Sequence, residues 1–403
     1  MHTSLPDLAA YGLSGSHWLA VVLTFVVIAQ LTILSVTLYL HRSATHRGVD
    51  FHPAIAHCMR FWLWLTTAMV TKEWVAIHRK HHARCETEDD PHSPRFHGIG
   101  KVFFHGVVLY QEASKDRGMI EQYGQGTPED WIERKLYTPM PALGPTVLAI
   151  AMVTAFGFVG LAMWAILMLV IPVGAAGFIN GLGHWWGYRN FETPDTATNL
   201  TPVAFILGGE ELHNNHHAFP SSAKFALRKW EFDIGWYAIR AFRAVGLARV
   251  LREAPELAIR PNVSLPDAET LKAVVGHRVG VMTGYFREVI KPVLRAEFAR
   301  SRAAKRALRR PMRKALLDDG RWLDGGARER LRAWLAERPQ VALVVEHRKR
   351  LQAAIERSGR SAEATLAAVQ QWCAEAEMSG IAALQTFAAR LRGYQLVAAP
   401  SHT

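Results

Sequence analysis

Cysteine is scarce in this sequence: Cys58, Cys85 and Cys373 are the three among 403 residues. An odd number at wide spacing supplies neither a disulfide framework nor a CxxC metal site, which suits a reducing compartment. Basic residues are missing from the beginning. No Lys or Arg precedes Arg42, so the basic region of a cleavable signal peptide is lacking. Charge is missing altogether from residues 18–40, and Lys and Arg are missing from 136–188. Such gaps exclude a uniformly water-soluble layout and turn attention to a bilayer.

Residues 18–40 are long enough to cross a hydrocarbon core as a helix. Residues 142–183 are too long for one crossing and about right for two, with Gly157 and Gly160 marking a turn. The expected spans are therefore 18–40, 142–160 and 162–183. Basic clusters at 42–47, 72–84, 95–101, 134–135 and 224–252 read as cytoplasmic. Residues 54–71 are apolar but carry His57 and Arg60. A crossing there would put residues 41–46 and 78–82 on opposite faces, so an interfacial helix is expected instead. The expected fold is an all-α integral membrane protein of the inner, cytoplasmic membrane. It is a helical transmembrane bundle with a cytoplasmic histidine-rich cap over residues 1–255.

From about residue 261 the chain turns rich in Ala, Arg, Glu and Leu at helical spacing, with breaks at Gly320, Gly325–Gly326, Pro339 and Gly359. Residues 256–403 are read as a basic helical C-terminal region, to which no activity is assigned. The formal net charge of +12, set beside the apolar runs, favours anionic lipid over nucleic acid as partner; no nucleic acid is expected.

Histidine is what the chain has in quantity. Of nineteen, His41 and His46 follow the first apolar run. His78, His81 and His82 form one HxxHH cluster, and His213, His216 and His217 form another. Positions i, i+3 and i+4 share a helix face, so each cluster converges on one point. Asn180 and His184 share a face by the same rule. His41 and His46 are five apart and converge only where the helix ends or bends. A lone histidine at a membrane edge is ordinarily an interfacial polar residue; two HxxHH clusters together point to metal.

Imidazole-rich sites suit Zn, Fe, Cu or Ni. A structural zinc site stops at four ligands, whereas nine candidates suit two ions with open positions. Two redox metals beside a bilayer point to oxygen chemistry on an apolar substrate, because an unactivated C–H bond requires an oxidant that side chains do not supply. Glu73, Glu86, Asp90 and Glu210 are candidates to orient ligand rings, each also readable as a solvated or capping acid, and His92 is a candidate to support the same shell.

At these residues the sequence resembles the membrane fatty acid desaturase family, in its acyl-CoA Δ9 (stearoyl-CoA-type) branch. The carrying segments are 41–47, 73–92, 180–184 and 209–220, within a likeness covering about residues 15–255. The resemblance implies two Fe2+ ions held by His41, His46, His78, His81, His82, His184, His213, His216 and His217, with Asn180 reaching one through water. It implies an O2-dependent oxidoreductase that places a cis double bond, at Δ9, in a saturated acyl chain. Two electrons would come from a separate ferredoxin-, rubredoxin- or cytochrome b5-like donor and its reductase. Animal members carry an Arg-Asp pair against the CoA head group where this chain has Ala76 and Ile77. Acyl-CoA is the expected carrier, with phospholipid and acyl carrier protein as alternatives. A di-iron hydroxylase or alkane monooxygenase, or a non-enzymatic membrane metal protein, are the competing functions.

Overall fold

A computed structural model describes residues 5–14, 17–308, 312, 315–316, 320, 323–356 and 361–397. The chain divides into two compact units, Met1–Ala254 and Pro255–Thr403.

The first unit begins with the short helix α1 (Leu5–Tyr11) and the apolar helix α2 (Trp18–Ser35). The latter runs on as a π-wound segment, Val36–Thr45. Helices α3 (Pro53–Thr67) and α4 (Thr71–Arg84) follow. Pro53 sits in the first turn of α3, where its missing N–H costs nothing, and the His52 ring accepts from Ala54 N. The longest helix, α5 (Leu143–Pro172), again continues as a π-wound segment, Val173–Gly181.

Two helical stretches, Trp18–Thr45 and Leu143–His184, are long and apolar enough to cross a membrane by length and composition. The most apolar windows are only 22% and 33% buried. Leu23, Val27, Ile150 and Leu169 are among the apolar side chains left uncovered. Helices apolar on all sides and this open are unlike the core helices of a soluble protein. Helix α3 has 15 residues, about 22 Å at 1.5 Å per residue, and is shorter than a hydrocarbon core. Its Arg60 is buried and ion-paired to Asp130, with Glu133 at 3.8 Å.

The second stretch is not one straight rod. Gly157 adopts φ 60°, ψ −141°, and the chain folds back there, so that a Cβ on Gly160 would strike the carbonyl of Met152, eight residues earlier. Helix α1 covers the fold: a Cβ on Gly157 would meet the Ala9 carbonyl. Gly157→Ala is expected to destabilise the unit by more than about 1 kcal/mol, read as a lowered apparent Tm in detergent.

The rest of the first unit is a cap of short helices and loops. Two arginines tie it together. Arg42 is fully buried, with Nη1 and Nη2 donating to the Asp233 carboxylate at 3.0 and 2.9 Å and to the carbonyls of Ala223 and Gly208. Its guanidinium lies 3.8 Å over the Phe225 ring. Arg79 donates to four carbonyls, those of Ala44, Thr45, Tyr123 and Gln125, locking α4 against the end of the first π-wound segment.

Strands are a departure from the all-α expectation. Val49–Phe51 pairs antiparallel with Ala248–Val250, and Val203–Ala204 pairs parallel with Phe232–Asp233. These pairings are two or three residues long and far apart in sequence. Neither has a run long enough for strand periodicity to register.

The second unit is helical around its own core, in which Tyr285, Leu351, Trp372 and Phe387 are buried. Tyr285 donates its hydroxyl to Val344 O at 2.6 Å, and Trp372 its indole N–H to His347 O at 2.8 Å. An antiparallel pair, Glu256–Ile259 with Tyr394–Val397, joins its two ends. Asp324 caps the helix Gly325–Ala336 and Pro339 opens Pro339–Ile355, so two of the four expected breaks are helix starts, and a third, Gly320, is a turn at φ 70°. Gly359 lies outside the described residues. Lys and Arg number 26 from residue 255 onward, against 15 Asp and Glu, so this unit carries nearly all of the chain's net positive charge.

Candidate metal centre

His41 and His46 meet because the backbone between them is π-wound. An i→i+5 hydrogen bond, His46 N to His41 O at 3.1 Å, closes the turn that an α-helix would leave open. The two rings then lie 5.0 Å apart. Helix α4 brings His78, His81 and His82 to the same side, and the six-residue helix His213–Ala218 supplies the third set. His184 follows the second π-wound segment, in a single 3-10 turn, Leu182–His184.

The rings sort into two clusters. His41, His46, His78, His82 and His216 converge in one. His81, His184 and His217 converge in the other with Cys85, and His213 joins it through an Nε2···Nε2 separation of 3.0 Å to His184. In the first cluster the Nε2 atoms of His41 and His216 are 3.0 Å apart, those of His216 and His82 2.9 Å, and those of His82 and His78 3.1 Å.

Carboxylates fix which nitrogen faces which way. Glu210 accepts from His41 Nδ1 at 2.7 Å, Asp90 from His81 Nδ1 at 2.9 Å, Glu86 from His184 Nδ1 at 3.2 Å and Asp195 from His217 Nδ1 at 2.9 Å. An ionised carboxylate only accepts, so each Nδ1 carries the proton and each Nε2 presents a lone pair. Burial, reinforced by the neighbouring rings, holds His78, His82, His213 and His216 well below the ordinary imidazole range. Burial likewise takes His217 down to about 4, against the opposing pull of Asp195. For His81 burial acts downward too, but the Asp90 carboxylate outweighs it and the net shift is upward.

Each of these Nε2 pairs at about 3 Å either shares an N–H···N hydrogen bond or flanks a cation, according to which ring nitrogen carries the proton. Ligand bonds of about 2.1 Å at right angles place two nitrogens about 3.0 Å apart, whereas tetrahedral angles would place them nearer 3.4 Å. The donor set, five and four buried or half-buried imidazoles, fits a transition-metal ion in each cluster. Among the described residues, the buried nitrogens His46 Nε2 and His217 Nε2 also lack a hydrogen-bond partner, as expected of rings kept for an ion.

A family model described as Fatty acid desaturase matches residues 16–255. The chain belongs to the fatty acid desaturase family. It is 32% identical over 221 residues to Delta-9 acyl-lipid desaturase 2 of Arabidopsis thaliana, covering 53% of this chain and 69% of that one. To an icosanoyl-CoA 5-desaturase of Limnanthes douglasii it is 33% identical, covering 54% and 60%. To an sn-1 stearoyl-lipid 9-desaturase of a Synechocystis strain it is 29% identical, covering 60% and 74%. The desaturase family is membrane-associated and generally uses iron. A second model, described as a transposase, matches residues 282–397. It covers less than half of the chain and shows what this segment is similar to.

Within the desaturase unit all nine histidines marked in the sequence lie in the two clusters. Asn180 is half-buried at the end of the second π-wound segment. Of the acids marked, Glu86, Asp90 and Glu210 sit on histidine Nδ1 atoms. Glu73 does not; it faces Arg117 at 3.5 Å. His92 stacks on His81 at 4.3 Å between ring centroids and, with Asp90, forms a further potential ligand group.

Asp195, Asn214 and Asn215 are functional residues outside the sequence-predicted set. Asn214 Oδ1 accepts from Asn190 N and Phe191 N, and Asn215 Nδ2 donates to Phe225 O and Glu231 Oε2. The two asparagines inside the third histidine box thus anchor a helix too short to hold itself. Two amides adjoining ligand histidines were the available clue; Asp195 lies in a loop with no spacing to mark it. Asp195→Ala is expected to weaken metal retention by about 10–100-fold, measured as iron left per chain after timed exposure to a chelator.

Proposed function

We propose that this chain is an O2-dependent fatty acyl desaturase whose two histidine clusters hold two iron ions and which forms a cis Δ9 double bond. The observation that carries the reading is the division of nine histidines into clusters of five and four, four of the rings oriented by carboxylates. Bound iron supplies the oxidising power that C–H removal requires. Overall, one O2, two electrons, two protons and two vicinal hydrogens of the acyl chain become two waters and a double bond.

The chain's own residues do the positioning. Glu210, Asp90, Glu86 and Asp195 hold the ligand rings in one tautomer and one orientation. Arg42, Asn214 and Asn215 fix the backbone that carries them. The burial of nearly all the rings keeps bulk water from the oxidising centre. Both π-wound segments continue apolar helices directly into ligand residues, which brings a bilayer-dissolved acyl chain and the clusters to the same edge. The proposed topology has the two apolar stretches crossing the inner membrane, the second as a hairpin, and the clusters on the cytoplasmic side. A separate donor protein supplies the electrons. Residues 256–403 are assigned no part in the reaction.

An acyl-lipid carrier is favoured over the acyl-CoA expected from sequence. Ala76 and Ile77, at the positions of the animal family's CoA-contacting pair, are 0% and 4% exposed and pack against Met119 and Ile120. Two of the three relatives above are named for lipid-linked acyl chains. The test is expression in a desaturase-deficient host, followed by mass spectrometry of acyl chains by lipid class. A new double bond appearing first in intact lipids is expected. Hydroxylated chains would move the reading to a hydroxylase, and unchanged lipids in cells holding iron-loaded protein would reject it.

A further inference from the structure

We propose that Cys85 supplies a sulfur ligand to the metal ion of the four-histidine cluster, so that the two metal positions differ in donor chemistry. This rests on the reading above that each cluster holds an ion. Cys85 is four residues after His81 and ends α4, so it continues the same helix face as His78, His81 and His82. Its Sγ lies 3.9 Å from His81 Nε2, and it lies within 4.8 Å of the donor atoms of His81, His184 and His217. Bonds of about 2.1 Å to nitrogen and 2.3 Å to sulfur span that 3.9 Å at an angle of roughly 120–130°.

A second observation points to the same spot. His217 Nε2 is buried, has no hydrogen-bond partner among the described residues and belongs to this group of donors. The local backbone is also bent to this end. Glu86 holds φ 56°, a left-handed conformation uncommon outside glycine. That bend lets Cys85 stay in the cluster while the Glu86 carboxylate turns to His184 Nδ1 and accepts from Thr196 N at 2.8 Å. The first cluster has five imidazoles and the second has four; the thiolate adds a protein donor to the second, beside the water that the resemblance assigns to Asn180. A soft, negatively charged sulfur on one ion makes the two sites unequal in metal preference and in redox behaviour.

The experiment is titration of the full-length, metal-free protein in detergent with Co2+, followed by electronic absorption. Two Co2+ per chain are expected, with a near-ultraviolet sulfur-to-cobalt charge-transfer band growing over one of the two equivalents. In Cys85→Ser the band should vanish while binding of two Co2+ persists. In the wild-type chain, loading should also protect Cys85 from alkylation at least 10-fold and leave the exposed Cys58 unprotected, as mapped by mass spectrometry. Two bound Co2+ with no sulfur band and no protection overturns the ligand assignment, as does a band that survives Cys85→Ser. Failure to bind two Co2+ instead overturns the two-ion reading beneath it.

Discussion

His216→Ala is expected to abolish desaturation, by more than about 100-fold, and to lower iron per chain, while the protein still accumulates in membranes. His216 is the hinge of its cluster: its Nε2 lies 3.0 Å from that of His41 and 2.9 Å from that of His82. Removing it opens the cluster from both sides. Changing a carboxylate one step out typically costs 10–100-fold, and a ligand itself should cost more. Iron by elemental analysis and double bonds by lipid mass spectrometry check the two halves separately. A variant with full iron and full activity would show that His216 is a packing residue.

The second large effect is structural. Arg42→Ala or Asp233→Ala should each destabilise the first unit by about 3–5 kcal/mol, because either leaves an uncompensated charge in a buried place. Both side chains are 0% exposed. Asp233 also caps the helix Ile234–Ala244 through Trp236 N and accepts from Phe225 N. The site loops depend on the pair as well. A Cβ on Gly209 would meet both the Arg42 guanidinium and the Asp233 carboxylate, which is why the turn leading to Glu210 is glycine at φ 106°. Replacing both residues by apolar ones of similar volume should recover a large part of the loss in Tm. Equal damage from single and double variants would place the contribution in the hydrogen bonds to Ala223, Gly208 and Phe225 rather than in the charges.

The basic surplus reads differently from composition and from comparison. Composition beside apolar runs points to lipid. The sequence places nearly all of that charge from residue 255 onward, the structure folds those residues as a separate helical unit, and part of that unit is similar to a transposase.

What the sequence determined was the family and the set of candidate metal ligands. Two HxxHH clusters, an HxxxxH and a later histidine, beside uncharged runs, are short-range patterns legible without coordinates; helix periodicity puts each HxxHH on one face, but the fold then divides it, His78 and His82 from His81, and His216 from His213 and His217. The turn at Gly157 is legible in the same way, where glycine is the residue that accepts positive φ. What only the tertiary structure decided was partnership at long range. It decided that π-winding closes His41 onto His46, that Asp195 rather than Glu73 serves a ring, and that five histidines go one way and four the other. It also decided that Ala76 and Ile77 are sealed in a small core instead of facing a head group. Apart from the π turn, which is local, those outcomes depend on contacts between residues tens to nearly two hundred positions apart, such as Arg42 with Asp233, and no local periodicity encodes them.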